Sequence, residues 1–179
     1  MFLLHQLDHT VKKMKGQIAN ALTIINLALG TFAIIFIIQN ELRMGLFFIT
    51  IAAVCDRLDG AAARRLNISS EFGKQLDSLS DLVSFGVAPA LIIYQAVLFE
   101  FGFIGAFFAI LFISCSAIRL ARFNVIESDG YFIGLPITAA GCILTLNILM
   151  VEYVPNYIFM FVTMLLSILM ISLFRIKKM

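Results

Sequence analysis

Apolar residues fall into six long blocks separated by short polar breaks. The blocks run from about Ala19 to Gln39, Met44 to Arg64, Gly73 to Leu98, Phe103 to Phe123, Phe132 to Val151 and Tyr157 to Phe174. As helices rising 1.5 Å per residue, each can cross a hydrocarbon core of ~30 Å. Pro89 lies inside the third block and predicts a kink there. Ahead of the first block, Phe2, Leu3, Leu7, Val11, Met14 and Ile18 recur at helical spacing, with Lys12, Lys13 and Lys15 on the other side. That pattern predicts a basic amphipathic helix lying in the membrane interface. The expected fold is therefore all-α and integral to the membrane. Residues 1–18 form an N-terminal amphipathic interfacial helix, and residues 19–179 form one domain of six transmembrane helices.

Composition agrees with this reading. The chain has 179 residues, of which 61% are hydrophobic, and a mean hydropathy of +1.02, well above ordinary soluble domains. A net charge of only +2 leaves no footprint for a nucleic-acid partner. Cys55, Cys115 and Cys142 sit in apolar runs at no metal-ligand spacing and read as buried thiols. Charge placement sets an orientation. With six spans, only Arg43 of the 13 Lys and Arg residues falls on the side opposite the termini. The positive-inside rule then predicts a multi-pass protein of the cell membrane with both termini in the cytoplasm.

Against this apolar background stands one acidic stretch. Asp56 and Asp59 are spaced i, i+3, and Asp77 and Asp81 are spaced i, i+4, so each pair shares a helix face. Asp56, Asp59, Gly60 and Ala63 form one stripe. Gly73, Asp77, Ser80, Asp81 and Ser84 form a second. Two such stripes face to face make an acidic pocket whose small residues let a bulky polar ligand approach the backbone. Any one of these carboxylates alone reads equally well as a helix-end residue in a solvated loop. Four together do not, because each costs roughly 2.5–3.5 kcal/mol at membrane depth. They call for cations, and an all-carboxylate donor set suits Mg²⁺, Mn²⁺ or Ca²⁺. A pair of such ions about 3.5–4 Å apart stabilises the attacking and leaving oxygens of a displacement at phosphorus.

Other polar residues flank the stretch. Asn20, Thr23 and Asn26 recur on roughly one face near the start of the first span, one turn before Gly30. They fit ligand contacts, and equally helix capping and helix–helix hydrogen bonds. Arg119 and Arg122, at i, i+3, fit a bidentate clamp on a carboxylate or a pair of headgroup anchors. Lys74, one turn before Asp77, fits a phosphate partner or another anchor.

The motif Asp56-x2-Asp59-Gly60-x2-Ala63-Arg64-x8-Gly73-x3-Asp77-x3-Asp81 resembles the signature of the CDP-alcohol phosphotransferase family at every position. The resemblance implies a six-helix membrane enzyme that joins a CDP-linked alcohol to a second alcohol and releases CMP. It implies two divalent cations, Mg²⁺ or Mn²⁺, on Asp56, Asp59, Asp77 and Asp81, with Asp81 also the general base. Contacts to the CDP-lipid would come from Gly60, Ala63, Arg64, Ser70, Gly73 and Lys74. Asn20 and Thr23 join them, in a stretch similar to the family's Pro-Asn-x-x-Thr but with Ala19 in place of the proline. The stretches 118–124 and 132–140 resemble the branch that uses CDP-diacylglycerol as donor and L-serine as acceptor, although proline usually stands at or beside Thr138. There Arg119 and Arg122 would meet the acceptor carboxylate. The family also suggests a homodimer. The same chemistry with glycerol phosphate or inositol phosphate is the nearest alternative. A divalent-cation carrier is a more distant one, since the stretches 32–38 and 107–113 are solidly apolar and offer no polar path across.

Overall fold

The computed structural model describes residues 2–66, 70–125, 131–172 and 175–177, and it is almost entirely helical. Helix α1 spans Phe2–Ile38 as one 37-residue element. It passes Ala19 without a break, so the segment expected as a separate interfacial helix continues directly into the first apolar block. No proline or glycine pair intervenes to stop it. Most side chains of residues 1–19 lie outside the described residues.

Helix α1 ends where Asn40 takes a left-handed φ of 64°. Glu41 N donates to Phe36 O at 2.9 Å and Asn40 N to Ile37 O at 3.0 Å. This pair of bonds satisfies the last carbonyls of α1 and turns the chain back. Helix α2, Leu42–Leu66, then returns along α1. Phe36 and Phe48 stack across the pair with centroids 5.2 Å apart.

Ser70 caps α3, Glu71–Asp81, by accepting from Gly73 N at 2.9 Å. The helix widens into a π-helical turn over Leu82–Val87 before α4, Ala88–Ala96. Pro89 stands in the first turn of α4. The break expected at Pro89 is thus taken up just before it, as one wide turn, in a position where its missing N–H costs least. A 3₁₀ turn, Leu98–Phe101, leads through Gly102 at φ 55° into α5, Gly102–Val125. The two shorter apolar helices are α6, Ile137–Leu146, which tails into a 3₁₀ turn to Met150, and α7, Asn156–Ile171. Among the described residues, three helical stretches are long and apolar enough to cross a membrane: Asn20–Ile38, Glu71–Ala96 and Leu98–Val125.

One feature departs from the expected loops. Tyr131–Ile133 (β1) and Arg175–Lys177 (β2) pair antiparallel, with Phe132 opposite Ile176. The tail after α7 thereby joins the segment before α6.

Polarity is distributed as in a protein whose solvent is lipid. Phe85, Phe112, Leu144, Phe159 and Met170 fill the centre, and so do Thr23, Asn26, Ser80, Ser84, Ser116 and Thr163. Several buried hydroxyls bond the carbonyl one turn back, as Thr163 does to Phe159 O at 2.7 Å. Phe32, Phe103, Phe107, Ile110, Phe161 and Ile168 face outward. Of the three thiols only Cys115 is buried; Cys55 and Cys142 are half-buried.

Candidate active site

The last turns of α3 and the C-terminal half of α2 bring three carboxylates together. Asp56, Asp77 and Asp81 each offer an oxygen, and these oxygens lie within 4.8 Å of one another. All three residues are partly buried. At an effective dielectric constant near 20, two unit negative charges at that separation repel by roughly 3 kcal/mol. The backbone imposes this crowding, because the i, i+4 pair on α3 faces the end of α2. The side chains of Asp59, Ala63 and Arg64 lie outside the described residues. Gly60 is half-buried on α2, one turn beyond Asp56.

Helix α1 forms the wall beside α3. Ser80 Oγ donates to Thr23 O at 3.1 Å and Ser84 Oγ to Asn26 O at 3.0 Å. Gly30 makes the approach possible, since a Cβ there would collide with Ser84 Oγ. This crossing sets Asn20 beside the first turn of α3. A Cβ built on Gly73 would lie 3.0 Å from both Asn20 Oδ1 and Ser70 Oγ. Asn20 of α1 therefore meets Ser70 and Gly73 at the positive end of the α3 dipole. Thr23 lies deeper and is buried.

Helix α5 closes another side. Asn124 Nδ2 donates to Ser78 Oγ at 3.0 Å and to Gln75 Oε1 at 3.3 Å, and exposed Lys74 reaches Asn124 O at 3.5 Å. The two arginines diverge. Arg119 is half-buried within electrostatic reach of Asp81, and its Nε is buried without a hydrogen-bond partner among the described residues. Arg122 instead donates to Ile171 O at 3.0 Å, at the end of α7. From α6, Thr138 Oγ1 donates to Asp56 Oδ2 at 3.3 Å. Ser78, Asn124 and Thr138 are site neighbours that the helical spacing of charges did not single out. For Asn124 a signal existed, because it closes the stretch 118–124.

Residues 16–171 match the family model described as CDP-alcohol phosphatidyltransferase. The chain belongs to this family. A CDP-diacylglycerol–serine O-phosphatidyltransferase of Helicobacter pylori is 38% identical over 165 residues, covering 87% of this chain and 70% of that protein. One of Bacillus subtilis is 39% identical over 128 residues, covering 70% of this chain and 72% of its own. An archaetidylserine synthase of Methanothermobacter thermautotrophicus is 36% identical over 167 residues, covering 90% of this chain and 70% of its own.

In this CDP-alcohol phosphatidyltransferase the donor set fits a divalent cation. Carboxylate oxygens are hard ligands, and three of them packed this closely favour a bound charge of opposite sign. Asp56, Asp77 and Asp81 are the described residues that would hold it.

Proposed function

We propose that this enzyme transfers the phosphatidyl group of CDP-diacylglycerol to the hydroxyl of L-serine, giving phosphatidylserine and CMP. The observation that carries this reading is the shared acceptor in the names of its relatives. The bacterial relatives are named for transfer to serine and the archaeal one for making archaetidylserine, and each aligns over 70% or more of this chain. The large apolar side chains that face outward support a lipid-embedded enzyme, whose apolar blocks we read as six spans. The placement of basic residues supports a site on the cytoplasmic side.

A pair of divalent cations, Mg²⁺ or Mn²⁺, held by Asp56, Asp59, Asp77 and Asp81 supplies neutralisation for the diphosphate charge. The chain's own groups do the rest. Asn20, Thr23, Ser70, Gly73 and Lys74 receive the CDP-lipid at the α1–α3 crossing, together with Gly60, Ala63 and Arg64 from α2. Small residues at 60, 63 and 73 leave room for the diphosphate beside α2 and the positive N-terminal end of α3. Arg119 orients serine by its carboxylate, using a guanidinium already placed near Asp81. Asp81 accepts the proton of the serine hydroxyl. The freed oxygen attacks the phosphorus that carries the lipid, the bond from that phosphorus to the bridging oxygen breaks, and CMP leaves with that oxygen. An Asp of ordinary pKa near 3.9 is a base here through position more than through basicity.

The test is CMP release by purified protein in detergent–lipid micelles with CDP-diacylglycerol and Mg²⁺ or Mn²⁺. L-serine, glycerol 3-phosphate and inositol phosphate are supplied separately. Release with serine alone is expected. Release only with a phosphorylated acceptor would keep the donor chemistry and overturn the acceptor.

A further inference from the structure

Two of the clustered carboxylates, Asp77 and Asp81, share α3, whose first turn is capped and whose flank is bonded to α1. Asp56 comes from α2 instead, so its side chain needs a hold from elsewhere to meet them in one geometry. Thr138, the second residue of α6, supplies a contact. Its Oγ1 donates to Asp56 Oδ2 at 3.3 Å across 82 residues of sequence. The position of that hydroxyl is itself determined. Gly134 turns the chain at φ 74°, where a Cβ would sit 2.6 Å from Met170 O. Leu135 N donates to Leu169 O at 3.2 Å, and Ala140 N closes the first turn of α6 onto Pro136 O at 3.0 Å. Arg122 grips the same end of α7 through Ile171 O. The start of α6 is therefore anchored to the end of α7, and a β-branched side chain on that turn has restricted χ1 freedom.

We infer that Thr138 is a positioning residue for the metal site: its hydroxyl fixes the rotation of the Asp56 carboxylate so that Asp56 acts with Asp77 and Asp81 as one ligand set. The inference rests on the metal reading given above. Groups that hold metal ligands in place are worth about 10–100-fold in metal affinity. Threonine here donates to the carboxylate, whereas valine keeps the shape and loses the donor.

The experiment is Mn²⁺ titration of the purified full-length protein in detergent, reading free Mn²⁺ by electron paramagnetic resonance. The unchanged protein, Asp56→Asn, Thr138→Val, Thr138→Ala and Thr138→Ser are compared. The unchanged protein should bind Mn²⁺ in a manner that Asp56→Asn weakens. Thr138→Val and Thr138→Ala should both weaken binding by about 10–100-fold, and Thr138→Ser should restore it to within a few-fold. Tight binding by a folded Thr138→Val or Thr138→Ala protein would overturn the role of Thr138 and leave the metal site standing. Failure of Thr138→Ser to restore affinity would also overturn it, by pointing to packing instead of the hydroxyl. Mn²⁺ binding indifferent to Asp56→Asn would overturn the metal reading and this inference together.

Discussion

Arg119 and Asp81 lie within electrostatic reach of each other, on helices α5 and α3, and Arg119 keeps a buried Nε with no hydrogen-bond partner among the described residues. A buried guanidinium nitrogen left without an acceptor is costly unless a ligand completes it. The acceptor's carboxylate is the group proposed to do so. Arg119→Ala should raise the KM for serine by about 10–100-fold, the worth of a charge-assisted hydrogen bond. The KM for CDP-diacylglycerol should change little. Steady-state CMP release at varied serine and varied donor separates the two.

Arg122 offers the contrast. Its guanidinium caps the end of α7 through Ile171 O. Arg122→Ala should lower the unfolding free energy by about 1 kcal/mol through the lost hydrogen bond. Its effect on the serine KM should be much smaller than that of Arg119→Ala. Thermal unfolding in detergent, run beside the kinetics, gives both readings on one preparation.

Asp81→Asn removes both a proposed base and a metal ligand while keeping the side chain's size. Turnover should fall by at least about a thousandfold, in the upper range for loss of a general base. Substantial CMP release by this variant would remove Asp81 from the role.

Chelation addresses the cations directly. EDTA should abolish CMP release, and Mg²⁺ or Mn²⁺ added in excess should restore it. Full activity after exhaustive chelation would be incompatible with the proposed ligand set.

The α1–α3 crossing predicts a packing effect. A Cβ at Gly30 would collide with Ser84 Oγ and crowd its Cα at 2.8 Å. Gly30→Ala should destabilise the protein by about 1–3 kcal/mol, the usual cost of overfilling a packed contact. Gly102→Ala would meet nothing within 4 Å, although its φ of 55° still carries strain. A lower unfolding temperature for Gly30→Ala, with reduced donor affinity as Asn20 shifts, is the expected outcome.

What the sequence made legible follows from the range of each determinant. The pairing of Asp77 with Asp81 depends on helical spacing alone, so it could be read directly. That Asp56 joins them needed only two neighbouring helices facing each other. Ser70 is singled out only through the resemblance, as a lipid contact, and its capping bond to Gly73 N at the head of α3 is missed although it lies within one turn. Thr138 and Asn124 lie in stretches that the resemblance marks, but the contacts they make, 82 and 46 residues away, are encoded by no local pattern. The divergence of Arg119 and Arg122 was hidden for the same reason. Their shared helix face is a local fact, whereas the arrival of α7 at one of them is not. The pairing of β1 with β2 also lay beyond reach, because three-residue strands carry almost no periodic signal.

The wide turn at Leu82–Val87 has a consequence for how this enzyme tolerates change in length. It holds one residue more per turn than the helices on either side. Before it, Asp77 and Asp81 face the acidic cluster. After it, Ile92 and Ile93 face the apolar interior. Deleting a single residue within 82–87 would let a plain α-helix run through with the two halves nearly in their present phase, because the wide turn already absorbs one residue. The same deletion in α3 or α4 has no such slack and would rotate one half against the other by roughly 100°. The carboxylates would swing away from Asp56, or the buried isoleucines would swing out into lipid, so the wide turn is where this helix can lose a residue without setting chemistry against packing.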